Sequence, residues 1–148
     1  MSIDNSIKFQ GISESSQKFL NEKSKLLVYE LGQPMALKNN LPDQVLIILE
    51  GEARFLGEQN QKTITVQKLG RGAFIGLSSI LSAYPSEYIT ASIQTKVQAI
   101  PTDLIIDLYK NEQSFRNLCN ENLFSGDVLN LLNQLVKISA RGDINLIR

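Results

Sequence analysis

The chain has no histidine, no tryptophan and a single cysteine, Cys119. Each absence removes a class of chemistry. Without an imidazole there is no Ser-His-Asp or Cys-His nucleophile pair and no histidine metal ligand. One cysteine can build neither a cysteine-only zinc site nor an intrachain disulfide, which fits a reducing compartment. A metal-dependent enzyme on a β-barrel scaffold depends on the same imidazoles, so the composition speaks against it. Charge of one sign is also missing, because 15 Lys and Arg face 15 Asp and Glu. That balance lacks the basic surface that sequence-independent nucleic-acid binding requires. Apolar runs reach about five residues, far short of the ~20 that a membrane-crossing helix needs. The opening Met1-Ser2-Ile3-Asp4-Asn5 has neither the basic nor the apolar region of a signal peptide. The expectation is a cytoplasmic, non-catalytic domain with no cofactor, no metal, no nucleic-acid partner and no direct membrane insertion.

What is present is enough chain for one core: 148 residues, 43% of them hydrophobic. The pattern falls into three parts. Ser13 is placed to cap a short helix through Glu22, with Phe19 and Leu20 turned inward. From about residue 25 to 101 the chain reads as strands. Leu26–Leu31 ends at Gly32, and Met35–Leu37 is a short segment. Val45–Glu50 is continuously apolar, as in a strand buried on both faces. Glu52–Gly57 follows Gly51, and Glu58-Gln59-Asn60-Gln61 is a polar hairpin tip. Thr63–Leu69 alternates, with Ile64 and Val66 in phase. Tyr88–Gln94 and Val97–Ile100 complete the set. Many short, closely spaced strands imply a sandwich or barrel. From Thr102 the period becomes helical. Thr102 is placed to cap Asp103–Lys110, and Glu112 or Ser114 opens a second helix with Phe115, Leu118, Cys119 and Leu123. Ser125 opens a third, with Val128, Leu131, Leu132, Leu135 and Ile138 at helical spacing. That stripe fits packing onto the strands or a dimer seam. Cys119 reads as buried packing, Arg141-Gly142-Asp143 as a helix exit, and Glu50 and Glu52 as a hairpin edge. The ending Asn145-Leu146-Ile147-Arg148 reads as a cut within a longer protein.

The informative stretch is Leu69-Gly70-Arg71-Gly72-Ala73-Phe74-Ile75-Gly76-Leu77-Ser78-Ser79-Ile80-Leu81. It follows a strand and runs into a short helical piece. Free backbone N–H groups at such a place attract anions, which makes it a candidate phosphate cradle. Glycines that merely turn the chain at a barrel corner read the same way. No Lys-Ser/Thr pair follows, so it is not a Walker loop. The loop Tyr84-Pro85-Ser86-Glu87-Tyr88 carries two aromatics, either as a contact surface or as loop packing.

Five blocks then resemble, in order, those of cyclic-nucleotide-binding domains: Leu31-Gly32-Gln33-Pro34, Val45–Ala53, Leu69–Leu77, Thr90-Ala91-Ser92-Ile93 and Ile100-Pro101-Thr102. The resemblance covers roughly residues 20–138. It implies a mainly β fold with flanking helices: an eight-stranded β-roll of jelly-roll type, one helix before it and two to three after it. The whole of 1–148 is then one domain, the roll at about 25–101 and the C-terminal helices at about 102–140. The positions that match the family's ligand site are Gly76, Leu77, Ser78, Ser79, Ile89 and Thr90. The family's Glu, which holds the ribose 2′-hydroxyl, is here Leu77. Its Arg, which pairs with the cyclic phosphate, is here Ile89. The resemblance therefore implies a pocket that binds cAMP and cGMP poorly or not at all. Arg71 and Arg54 are nearby in sequence as cations for such a site, or are solvated or structural. Leu31–Pro34, Leu49–Arg54, Gly72–Leu77 and Pro85-Ser86-Glu87 are further similar to the N-terminal module of cyanobacterial ABC exporters of the haemolysin or bacteriocin-secretion type. That implies a regulatory module of a transporter, tethered to the inner membrane through the rest of the polypeptide, with homodimerisation through the C-terminal helices and an unidentified small-molecule ligand as further expectations. The effector domain of a transcription regulator is the second reading.

Overall fold

The computed structural model describes residues 12–122. Helix α1, Glu14–Lys23, starts where the Ser13 side chain accepts a hydrogen bond from the Ser16 amide, as an N-cap should. Leu20 on this helix is fully buried, but Phe19 is 44% exposed. The expectation that both turn inward therefore holds for Leu20 alone, because neighbouring residues on a helix point about 100° apart.

Eight strands follow: β1 (Lys25–Tyr29), β2 (Pro34–Ala36), β3 (Gln44–Glu50), β4 (Ala53–Gln59), β5 (Lys62–Leu69), β6 (Phe74–Ile75), β7 (Ile89–Ala91) and β8 (Thr95–Pro101). Helix α2, Leu77–Ser82, lies between β6 and β7, and α3 (Thr102–Asn111) and α4 (Gln113–Glu121) close the described chain. The strands form two four-stranded sheets, β1-β8-β3-β6 and β2-β7-β4-β5. Every pairing is antiparallel. This is the mainly β roll with flanking helices that the sequence implied. The core between the sheets is apolar, and Val45 through Leu49 on β3 are all buried, as their unbroken apolar run required.

Three elements differ from expectation. Strand β6 is two residues long and lies inside the glycine-rich stretch, where only its pairing to β3 (Leu46 with Ile75, Ile47 with Phe74) reveals it. Strand β7 stops at Ala91, and Ile93 is half exposed in the turn that follows. Thr102 is the first residue of α3 and does not cap it. The helix follows Pro101, and the Thr102 hydroxyl donates to the Pro42 carbonyl. Residue Glu112 precedes α4, as read, but its carboxylate accepts from the Ser16 hydroxyl at 2.6 Å. The apolar stripe at 128–138, Leu123, the Arg141-Gly142-Asp143 tripeptide and the final tail lie outside the described residues.

Two helices are tied to the roll from outside. Gln98 on β8 is 1% exposed, and its amide nitrogen donates to Asn21 and Ser24 at the end of α1. Phe115 and Cys119 on α4 are fully buried in the same core as Leu20 and Ile105. Burial pushes the Cys119 thiol up to about 12, so it stays protonated and acts as a small apolar side chain.

The β3–β4 corner is tightly packed. Gly51 has φ +120°, and a Cβ there would stand 2.5 Å from Thr95 Oγ1 and 2.7 Å from its Cα. Thr95 itself is buried and clamps the corner, accepting from the Glu52 amide and donating toward the Glu52 and Ile93 carbonyls. Gly51→Ala is expected to destabilise the fold by about 2–4 kcal/mol, through backbone strain plus a clash with backbone that has no room to yield. Urea denaturation checks this, and an unchanged midpoint refutes it.

Candidate functional site

The glycine-rich stretch divides into two parts with different roles. Gly70 and Gly72 turn the chain. The Ala73 amide donates to the Gly70 carbonyl, and Gly72, at φ +88°, donates to Ile48. Both glycines face open space, since an added Cβ would meet nothing within 4 Å. Here the barrel-corner reading holds.

Gly76 is different. It is buried and left-handed at φ +93°, and a Cβ would lie 3.1 Å from Pro42 Cγ and 3.2 Å from the Gln44 carbonyl oxygen. It precedes α2 as its N-cap and has no side chain to satisfy the amides of the first turn. Such amides need another partner when they are buried. That partner is Glu87, eleven residues further on. One carboxylate oxygen accepts from the Gly76 amide at 2.9 Å. The other accepts from the Ser79 amide and the Ser79 hydroxyl, each at 3.0 Å. Glu87 is 1% exposed, and the ion pair Lys38–Glu58 lies elsewhere. Among the described residues the carboxylate therefore has hydrogen bonds and no ion pair. Burial pushes its pKa above the ordinary carboxylate range. The amides of Gly76, Ser79 and Ser78 and the Ser79 hydroxyl pull it the other way without overcoming burial.

The structure places the six sequence-predicted positions as follows. Gly76 and Ser79 bind Glu87. Leu77 is 1% exposed and Ile89 is fully buried, both in the core cluster. On β7, Ile89 stands opposite Phe55 and points between the sheets with it, while Thr90 stands opposite Arg54 on the outer face. Ser78 is half-buried, and its carbonyl accepts from the Ser82 hydroxyl. Arg54 is exposed, and Arg71 donates to the Leu49 carbonyl. The two positions matching the family's charged groups are thus packing positions, filled by side chains that seal the roll. A groove of about 250 Å³ lies at the β3–β4 corner, lined by Val28, Glu50, Gly51, Ile93, Gln94 and Lys96. None of the six positions lines it.

Glu87 is the residue that sequence reasoning missed. It stands between two tyrosines in a loop read as a contact surface or loop packing, with no role of its own. Its only signal was a carboxylate shortly after an uncapped, glycine-led helix start, and reading that signal needs the loop's path.

Comparison with solved structures places the fold. A protein from Geobacter metallireducens described as cyclic-nucleotide-binding superposes with a TM-score of 0.64 at 19% identity, over 86% of this chain and 90% of its own. A cyclic-nucleotide-binding domain from Methylobacillus flagellatus gives 0.61 at 26% identity, over 97% of this chain and 77% of its own. A protein from Eubacterium rectale described as a transcriptional regulator of the Crp/Fnr family gives 0.70 at 19% identity, over 89% of this chain and 64% of its own. No protein-family model and no curated protein matches the chain.

Replacing Glu87 by Ala leaves the Gly76 and Ser79 amides and the Ser79 hydroxyl without their acceptor. The expected loss is about 2–4 kcal/mol at neutral pH, with a smaller loss for Glu87→Gln, which keeps one acceptor oxygen. Urea denaturation of both variants reads this directly. Midpoints equal to wild type for both would show that the carboxylate holds nothing.

Proposed function

We propose that this chain, which has the fold of cyclic-nucleotide-binding domains, is a non-catalytic regulatory or interaction module that takes neither cAMP nor cGMP. One observation carries the reading. The buried donors where a ligand anion would be received, Gly76 N–H and Ser79 N–H, already hold the chain's own Glu87 carboxylate. Leu77 and Ile89 add to it, because both are closed into the core and offer no charge. An arginine–phosphate pair is a charge-assisted, often bidentate contact, and its absence costs on the order of 3 kcal/mol in affinity. A buried carboxylate beside the same place repels a phosphate as well.

The similarity of the Leu31–Pro34, Leu49–Arg54, Gly72–Leu77 and Pro85–Glu87 blocks to exporter modules supports a place within an ABC-type toxin or peptide secretion transporter. The module would then be cytoplasmic and tethered to the membrane through its parent. Among the described residues no helix is long and apolar enough to cross a membrane. The apolar spacing of Val128, Leu132, Leu135 and Ile138 supports a homodimer. The second reading, an effector domain of a transcription regulator, is favoured by the superposition on the Crp/Fnr protein, of which this chain spans 64%. Coding sequence following Arg148 separates the two: a transmembrane block with a Walker motif supports the transporter, a helix-turn-helix the regulator.

Isothermal titration of the full chain with cAMP and with cGMP is expected to show no binding up to millimolar ligand. Micromolar affinity for either overturns the reading. Light scattering is expected to give twice the mass of one chain, and a strict monomer at high concentration removes the dimer.

A further inference from the structure

Residues 83–88 form a strap from α2 to β7. It leaves α2 through Ala83, which is left-handed at φ +55°, and exposes Tyr84 at its turn. Several hydrogen bonds hold it. The Tyr84 amide donates to the Ser79 carbonyl, and the Ser86 amide donates to Ser79 Oγ, both at 3.1 Å. The Tyr84 carbonyl accepts from the Ser82 hydroxyl at 3.3 Å. The Tyr88 carbonyl accepts from Leu56 on β4 at 2.8 Å. Glu87 adds its bonds to Gly76 and Ser79. The bonds of the Tyr84 amide, the Ser86 amide and Glu87 converge on the first turn of α2. Withdrawing Glu87 therefore frees the Gly76 amide, the Ser79 amide and the Ser79 hydroxyl together.

The groups that face Glu87 are few. From the β6–α2 turn they are the amides of Gly76, Ser78 and Ser79 and the Ser79 hydroxyl. From the strap, the Ser86 hydroxyl reaches Ser79 Oγ at 3.4 Å. None of these groups is ionisable, and among the described residues no lysine, arginine or second carboxylate pairs with Glu87. A proton on Glu87 has an acceptor in Ser79 Oγ, which already accepts from the Ser86 amide. The protonation of Glu87 and the bonding of the strap are thus linked through one hydroxyl. In the closed strap the carboxylate is out of water with no cation, whereas an open strap returns it to water.

Resting on the reading that this site is occupied from within, we propose that Glu87 is a proton-coupled latch: closing the 83–88 strap takes up a proton, and rising pH loosens it. The sign follows from linkage. The closed form holds its proton to a higher pH than an open, solvated carboxyl does, because burial outweighs the hydrogen bonds. Closure is therefore most favourable below the ordinary carboxylate range, and that advantage is lost as pH rises through the raised closed-state value.

Amide hydrogen exchange of the full chain by NMR, corrected for intrinsic rates, tests this from acid to neutral pH. Protection of Gly76 and Ser79 is expected to fall severalfold across the Glu87 titration, read from its own carboxyl carbon, while Ile47 and Ala99 in the central β3–β8 pair stay protected. Glu87→Gln should make the profile flat. Ser79→Ala, which removes a hydroxyl that pulls the titration down, should move its midpoint to higher pH. A flat wild-type profile, or a slope that survives in Glu87→Gln, overturns the latch. Should Glu87→Gln fail to fold, the wild-type and Ser79→Ala profiles decide it. Tight cAMP binding by wild type overturns the preceding reading but not the titration, and a flat profile without cAMP binding overturns the latch alone.

Discussion

Where the chain leaves β6 and enters α2, backbone amides lie beneath the surface at a helix start led by a glycine that cannot cap them. Buried amides without partners cost as much as lost hydrogen bonds. Gly76 is required there by its left-handed φ and by the closeness of Pro42 and Gln44. The requirement therefore passes to a residue elsewhere in the chain. Glu87 meets it and in doing so ties residues 83–88 to the β6–α2 corner, two residues before β7 begins.

The same corner separates architecture from ligand chemistry. Leu77 and Ile89 stand where the resemblance called for a carboxylate and a guanidinium, and both are filled into the core. An apolar side chain at such a position strengthens the roll by burying area, at roughly 25 cal/mol per Å². A charged one there would need an external counter-charge to balance its burial. The chain has the apolar solution together with an internal anion. The fold is shared at identities of 19–26% with proteins described as cyclic-nucleotide-binding or as Crp/Fnr regulators. Fold alone does not carry their ligand across.

The helices outside the roll are joined to one another as well as to the sheets. Ser16 on α1 donates to Glu112 between α3 and α4, and Gln98 on β8 holds the end of α1. Arg116 on α4 donates to the Tyr109 and Lys110 carbonyls at the end of α3, which satisfies part of that helix terminus. The start of α3 is tied beside the same corner, because the Thr102 hydroxyl donates to the Pro42 carbonyl, and Pro42 also borders the place a Gly76 Cβ would take.

Much of this was legible in the residues. The apolar run Val45–Leu49, the Ser13 cap and the buried Cys119 all follow from local pattern, as does the polar hairpin tip, although of Glu58-Gln59-Asn60-Gln61 only Asn60 and Gln61 form the turn and the first two belong to β4. The replacements at Leu77 and Ile89 were equally plain once the blocks were aligned. Strand β6, the length of β7 and the role of Thr102 were not, because each is set by a partner distant in sequence. Glu87 is the clearest case. By itself it is a charged residue in a tyrosine-flanked loop, and composition places such a residue in solvent. Only the folded path brings it 2.9 Å from the Gly76 amide and takes its water away. The sequence alone thus determined a roll with apolar residues, Leu77 and Ile89, where the resemblance called for charges. The tertiary structure decided that an internal carboxylate occupies the neighbouring donors, because hydrogen bonding between a loop and a helix start depends on distance in space.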